Sequence, residues 1–390
     1  MDNVFYVEIS LVVTRLKMIR LEMLKKVDWD FAEASTNTAT NAIHPYPAKF
    51  IPQIPYHFIN ELTLPGETVY DPFLGSGTTA VEANILGRNA IGNDVNELAV
   101  LISKVKTTPI SIQRLDFLNS FLDRIRKRID RYYKGKESEI SPPDIINLNL
   151  WFKDFVIAEL VVIKEEIENL SYQDLKDFCL VGLSGVIINV SNQDSDTRYV
   201  RVSKNINHED TFIKFAKQTN KLIRIMSGCY KQLENGHSFF KVADTRKEGI
   251  FGEYSADLVI TSPPYPNAYD YHLYHKYRLL WLGMNPYSLK KSEIGAHADY
   301  SKNNGMTEFD FQKDMEKCFL NTSSILKRRK YFVVVIGDSI LKGQNIRNNE
   351  ILKQAAQNTP FSFVAEFTKN LNLRKKSLNS KKKYKNYLWD

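Results

Sequence analysis

The sequence predicts an α/β fold, a sheet flanked by helices and interrupted by a helical insertion, and three observations carry that expectation. Residues 67–99 read as strand, glycine-bearing turn, helix and second strand, the order of a βαβ unit. The apolar runs within 256–260 and 330–338 read as buried sheet strands. Between these two halves, 101–235 is mostly helical by pattern, with Leu118, Leu122, Ile125 and Ile129 on one face.

Residues 1–27 read as a helical leader. Glu8, Arg15, Lys17, Arg20 and Glu22 interrupt its apolar runs, which excludes a signal peptide or a spanning helix and points to the cytoplasm. Residues 28–100 form the first half of the core. A polar loop, Ala34 to Asn41, leads into His44-Pro45-Tyr46-Pro47-Ala48-Lys49-Phe50. A strand then ends at Asp71, a tight turn passes through Gly75 and Gly77, and a helix opens near Thr78. Glycine suits that turn because it lets backbone approach a ligand where a Cβ would clash. The strand Asn89 to Gly92 delivers Asp94, 23 residues after Asp71, where a ribose-binding carboxylate belongs in a βαβ unit. No phosphate-cradling Gly-x-x-x-x-Gly-Lys-Ser/Thr is present, and an acid at the mouth of the loop would repel a pyrophosphate. It suits instead a cationic ligand bearing an ammonium and a sulfonium.

Residues 101–235 are read as a helical insertion and the candidate target-recognition region. Arg124, Arg126, Lys127, Arg128, Arg131, Lys134 and Lys136 crowd one side of its first long helix. Segment 191–206 is polar, carries Arg198 and Arg201, and could order on nucleic acid. Residues 236–390 complete the core. Strand Ser238 to Lys241 leads to Asp244, strand 256–260 to Ser262, and strand 330–338 to Asp338; helix 347–357 and strands near 361–367 and 384–389 follow. Residues 284–310 read as a mobile polar loop over the cleft. From Lys369 to Lys385 there are eight basic residues, Lys375 and Lys376 among them, and no acid.

Thr261-Ser262-Pro263-Pro264-Tyr265 carries the chemistry. The exocyclic amine of cytosine or adenine is flat, its lone pair delocalised into the ring. It attacks a sulfonium methyl only when acceptors hold its N–H groups and bend the nitrogen towards tetrahedral. The Ser262 hydroxyl and the Pro263 carbonyl can do that, Pro263 and Pro264 restrict the loop, and Tyr265 offers a face for a swung-out base. Ser141-Pro142-Pro143-Asp144 is an internal contrast: it follows a charged stretch, lacks the aromatic, and reads as a plain loop.

Asp71-Pro72-Phe73-Leu74-Gly75-Ser76-Gly77-Thr78-Thr79 and Thr261 to Tyr265 together resemble the DNA amino-methyltransferases, the N4-cytosine and N6-adenine group. The resemblance covers residues 28–100 and 236–340. It implies a Rossmann-like seven-stranded methyltransferase sheet, S-adenosylmethionine as cofactor and double-stranded DNA as substrate. It assigns Pro47, Lys49 and Phe50 to the methionine end of the cofactor and Asp244 to the adenine amine. Ser262 through Tyr265 become the catalytic loop, and Ser in first position goes with cytosine N4 in that family. The alternatives are N6-adenine methylation, an RNA amino-methyltransferase, and a cofactor-binding DNA-recognition protein without turnover. A role in restriction-modification or host defence would require a nuclease on another chain. The formal charge of +8 and pI near 9.0 suit a polyanionic partner. Cys179, Cys229 and Cys318 lie far apart, so neither a disulfide framework nor a metal site is expected.

Overall fold

A computed structural model describes residues 19–32, 34–47, 51–136, 140–302, 304–370 and 383–389, with backbone alone at 369, 370 and 383–389. Strands β1 (Thr68–Asp71), β2 (Asn89–Asp94), β5 (Ser238–Val242), β6 (Ala256–Thr261), β7 (Leu326–Gly337), β10 (Phe363–Asn370) and β11 (Lys383–Trp389) form one sheet. Small hairpins pair β3 (Gln193–Ser195) with β4 (Arg198–Arg201) and β8 (Ser339–Leu341) with β9 (Gln344–Ile346). The large sheet is seven-stranded in the order β10-β11-β7-β6-β1-β2-β5. Its five strands from β7 to β5 are parallel, and β11 and β10 add antiparallel strands at one edge. This is a Rossmann-like α/β fold.

Burial on both faces explains the unbroken apolar strands: every residue of β6 is buried, and β7 is buried from Tyr331 to Gly337. Side chains alternate between two cores. Tyr70, Val259, Phe332, Val334 and Ile336 face helices Glu308–Ile325 and Asn348–Gln357. Val69, Leu258, Ile260, Val333 and Val335 face helices Gln53–Leu62 and Thr78–Ile85. Leu24 and Trp29 join this second core, and Trp29 stacks on Phe58 at 4.7 Å. The described end of the leader is thus packed against the sheet.

The chain runs outward from β1 to β2 and β5, then returns to β6 on the other flank of β1. The switch in direction lies between β6 and β1, and the loops leaving their carboxyl ends are neighbours there. In open α/β sheets that crevice is where ligands bind.

A third apolar cluster holds helices Ile112–Tyr133, Asp154–Glu168, Gln173–Ile187 and Asp210–Leu233 together. Leu118, Leu122, Ile125 and Ile129 all enter it. The helix Glu97–Thr107 runs straight through the expected boundary at residue 100, and its Ile102 and Val105 share this core. Tyr277, Leu279 and Trp281, from the segment after the Ser-Pro-Pro-Tyr loop, do so as well. The polar stretch 191–206 is already ordered as the β3–β4 hairpin, with Tyr199 stacked on Trp151 at 5.0 Å.

Residues 284–310 differ from the expected loop. They contain helices Pro286–Ser292 and His297–Tyr300, with Leu289, Ile294, Ala296 and Tyr300 buried. The local reason is a cap: Asn285 Oδ1 accepts from Tyr287 N at 2.9 Å and Ser288 N at 3.2 Å, with Pro286 opening the helix. Among the described residues no helix is long and apolar enough to cross a membrane.

Candidate active site

The turn after β1 is built on two glycines in the left-handed region, Gly75 at φ +50° and Gly77 at φ +77°. Gly77 is doubly required, because a Cβ would also lie 2.6 Å from Ser103 Oγ. From the helix Glu97–Thr107, Ser103 Oγ donates to Gly75 O at 3.1 Å and the buried Lys106 Nζ donates to Ser76 O at 2.7 Å. The turn therefore has its carbonyls held from beneath.

Asp94, at the end of β2, closes the other side. Its Oδ2 accepts from Gly75 N at 2.8 Å and its Oδ1 from Asn96 N at 2.9 Å. Asn96 Nδ2 reaches Tyr46 OH at 3.2 Å, and the Tyr46 ring stacks on His275 at 5.0 Å. A Cβ on Gly75 would sit 3.9 Å from Tyr46 Cε1. The His44–Pro47 segment thus lies over the glycine turn. Pro47 is half-buried; Lys49 and Phe50 lie outside the described residues.

Asp71 joins this turn to the Thr261–Tyr265 loop. Its Oδ1 accepts from Thr261 Oγ1 at 2.6 Å and from Phe73 N at 3.1 Å. Burial pushes Asp71 up to about 6, against the opposing pull of the Thr261 and Thr79 hydroxyls. Burial likewise raises Asp94 to about 6, partly offset by the backbone N–H groups of Asn96 and Gly75. Two carboxylates raised by desolvation make a crevice that favours a cation. Asn93 ties in β5: it accepts from Tyr70 OH at 2.7 Å and donates to Ala243 O at 3.1 Å and Thr245 Oγ1 at 2.9 Å.

Asp244 follows β5, as expected, but its carboxylate is already engaged. Arg246 Nε and Nη2 donate to it at 3.0 and 2.7 Å, and this pairing holds the carboxyl below its usual range. Any adenine amine at Asp244 would share that carboxylate with Arg246.

Ser262, Pro264 and Tyr265 are half-buried and Pro263 is buried, on the loop leaving β6. The structure gathers Pro72, Phe73, Gly75, Ser76, Gly77, Thr78, Thr79, Asp71, Asp94 and Ser262 to Tyr265 at one end of β1, β2 and β6. S-adenosylmethionine fits this set. The buried Ser76 Oγ meets no partner among the described residues, the face over Gly75 holds nothing closer than 3.9 Å, and the acids match a cationic donor.

The basic residues divide. Arg128 braces two helices: it pairs with Glu165 at 2.5 Å and Glu166 at 3.3 Å, with 14% of its side chain exposed. Expected among the DNA contacts, it is engaged within the protein by acids on a helix almost forty residues away, pairings the sequence could not reveal. Arg126 is exposed, 4.0 Å from Glu209. Arg131 and Arg201 are exposed, and Arg198 is exposed beside Asp194 at 3.1 Å. Lys375 and Lys376 lie outside the described residues.

Asn93, Asn96 and Lys106 line the candidate site although the sequence does not mark them, while Tyr46 and Thr261 lie inside segments that it does mark but without roles of their own. Asn96 carries a signal as the cap of the helix Glu97–Thr107, where its side chain accepts from Leu98 N. Thr261 is visible as the residue before Ser262, but nothing local marks its bond to Asp71.

Comparison with known proteins shows what the chain is similar to. Residues 15–105 match the N6_N4_Mtase DNA methylase family model. The chain is 34% identical over 253 residues to the type II methyltransferase M.MvaI of Kocuria varians, covering 60% of this chain and 55% of that protein. It is 33% identical over 162 residues to the type II methyltransferase M.MjaII of Methanocaldococcus jannaschii, covering 34% of this chain and 31% of the relative. The match thus spans about half of the first relative and about a third of the second. Among solved structures, TrmN from Thermus thermophilus overlaps 87% of this chain and 49% of its own at 10% identity, with a TM-score of 0.34, too low to weigh. By the family match and these relatives, the chain is similar to the N4/N6 amino-methyltransferases of DNA, and that similarity implies S-adenosylmethionine as methyl donor.

Proposed function

We propose that the chain methylates DNA at an exocyclic base amine, cytosine N4 in the first instance, and that it serves a restriction-modification system whose nuclease is a separate chain. The observation that carries the reading is the Thr261–Asp71 hydrogen bond, which couples the base-amine loop to the glycine turn at the switch point of the sheet. S-adenosylmethionine supplies the electrophilic sulfonium methyl when bound. Asp94 would hold the cofactor ribose, Asp71 and the glycine turn its cationic end, and Asp244 the adenine amine.

A base swung out of the duplex would stack on Tyr265. Ser262 Oγ and the Pro263 carbonyl would accept its two N–H hydrogens and localise the lone pair for in-line attack. Positioning supplies most of the rate in such a site, up to roughly 7–11 kcal/mol where reactants are well oriented. No cysteine nucleophile takes part. All three thiols are buried, and burial pushes Cys229 up to about 11 and Cys179 and Cys318 upward. Ser in the first position of the tetrapeptide supports cytosine through the family pattern.

Nucleoside mass spectrometry of duplex DNA, single-stranded DNA and RNA incubated with the chain and cofactor tests this directly. N4-methylcytosine from duplex DNA is the expected product; N6-methyladenine or a methylated ribonucleoside would replace the base or substrate assigned. Ser262→Ala should lower kcat with DNA affinity retained, whereas Tyr265→Ala should lose roughly 1–3 kcal/mol of stacking. Wild-type turnover in both variants would remove the loop from the mechanism.

A further inference from the structure

The segment from Ser292 to Ala298, read from sequence as part of a mobile loop, is bound on both sides of the candidate site. On the catalytic side, the buried Glu293 accepts from Tyr271 N at 2.5 Å and pairs with His272 Nδ1 at 2.6 Å. Asp270 Oδ1 accepts from Ala298 N at 2.9 Å, and Gly295 O accepts from Ala268 N at 3.4 Å. Tyr269, Tyr271 and Tyr274 follow the Ser-Pro-Pro-Tyr loop directly, so these bonds fix the loop's exit.

Contact with the loop itself is closer still. Gly295 has φ +77°, and a Cβ on it would lie 2.4 Å from the Tyr265 carbonyl oxygen. Any side chain there would have to push the Tyr265 backbone aside. The neighbouring Ile294 is buried in the cluster against which Tyr265 packs.

On the cofactor side, Arg246 Nη2 donates to Ser292 O at 2.9 Å and Nη1 pairs with Asp314 at 3.1 Å. The same guanidinium holds Asp244 at the end of β5. One run of residues therefore reaches from the expected adenine end of the cofactor to the carbonyl of the stacking tyrosine.

We propose that Glu293 and Gly295 are positioning residues for methyl transfer, forming a strap that holds the Ser262–Tyr265 loop in register with the cofactor-binding strands. The inference rests on that loop being the active site. Neither residue needs to touch a reactant. Their effect is exerted through the Tyr265 backbone and the amides of Tyr271 and His272, and a displacement of about 1 Å in such a site costs on the order of a hundred-fold in rate.

The test uses the full chain with Gly295→Ala and Glu293→Gln, comparing steady-state methyl transfer to duplex DNA, calorimetric affinity for S-adenosylmethionine, and amide hydrogen exchange over 262–275. The expected result is a fall in kcat of about a hundred-fold for Gly295→Ala, with cofactor affinity nearly unchanged. Glu293→Gln should show a smaller fall, and in both variants residues 265–273 should exchange several-fold faster. Unchanged kcat and exchange in both would overturn the strap, as would a kcat loss matched by an equal loss of cofactor affinity. Should Gly295→Ala fail to fold, Glu293→Gln decides by the same criteria. A wild-type chain that methylates no nucleic acid would overturn the functional reading instead, and exchange would still decide whether the strap holds the loop.

Discussion

Asp94 is the side chain whose removal separates the cofactor reading from a purely structural one. It accepts two backbone hydrogen bonds, from Gly75 at 2.8 Å and Asn96 at 2.9 Å, and remains part-exposed towards the crevice. If it also holds the cofactor ribose, Asp94→Ala removes a hydrogen bond to a charged acceptor worth roughly 1.5–3 kcal/mol. That is about a ten- to 150-fold rise in Kd for S-adenosylmethionine. The loss should be larger than the ribose contact alone, because the Gly75 and Asn96 N–H groups lose their acceptor and the glycine turn loosens. Asp94→Asn is a sharper probe. Its amide oxygen can accept from one of those N–H groups, but its NH2 then faces the other as donor against donor. Isothermal calorimetry should rank affinity as wild type, then Asn, then Ala, and denaturant unfolding without cofactor reports the structural share. Because burial raises Asp94 to about 6 and its anion is the binding form, cofactor affinity should be full above neutral pH and decline as pH falls through 6. An unchanged Kd in a folded Asp94→Ala chain would refute the assignment.

Three further outcomes are accessible. Glu82, 5% exposed and bonded by Asn41 at 3.0 Å, has its pKa raised from 4.5 to about 7 by burial. The unfolded chain therefore releases that proton first as pH rises, and about 3 kcal/mol of stability present below pH 4.5 is lost on passing through 7. Urea titrations should show Glu82→Gln gaining on wild type across that window, and parallel curves would refute the shift. Charge reversal at Arg126, Arg198 and Arg201 should lower DNA affinity and flatten its salt dependence, by a slope of about 0.9 for each phosphate no longer neutralised. Arg128→Ala should instead lower the urea midpoint without changing the salt slope, and a changed slope would restore Arg128 to the DNA interface.

What the sequence determined by itself was everything encoded within a few residues. The parallel strands were legible because burial on both faces leaves runs such as Ala256 to Ile260 almost no polar positions. Asp71 to Thr79 was legible because a turn through Gly75 and Gly77 at positive φ needs its glycines in place whatever surrounds it. The position of the Ser262–Tyr265 loop after β6 was legible because its two prolines directly follow an apolar strand. The tertiary structure alone decided which of these neighbours meet, and with what charge. Arg128 reads as a surface cation until Glu165 and Glu166 come within reach on another helix. The stretch 284–310 reads as a loop because Glu293 and Gly295 owe their order to Tyr271, His272 and Tyr265, side chains and backbone on a different segment. Lys106 carries no local sign of its bond to Ser76 O, nor Asn93 of its bridge from Tyr70 to β5. Backbone conformation and burial period follow from nearest neighbours, whereas hydrogen-bond pairing and carboxylate pKa depend on desolvation by residues that only folding brings together.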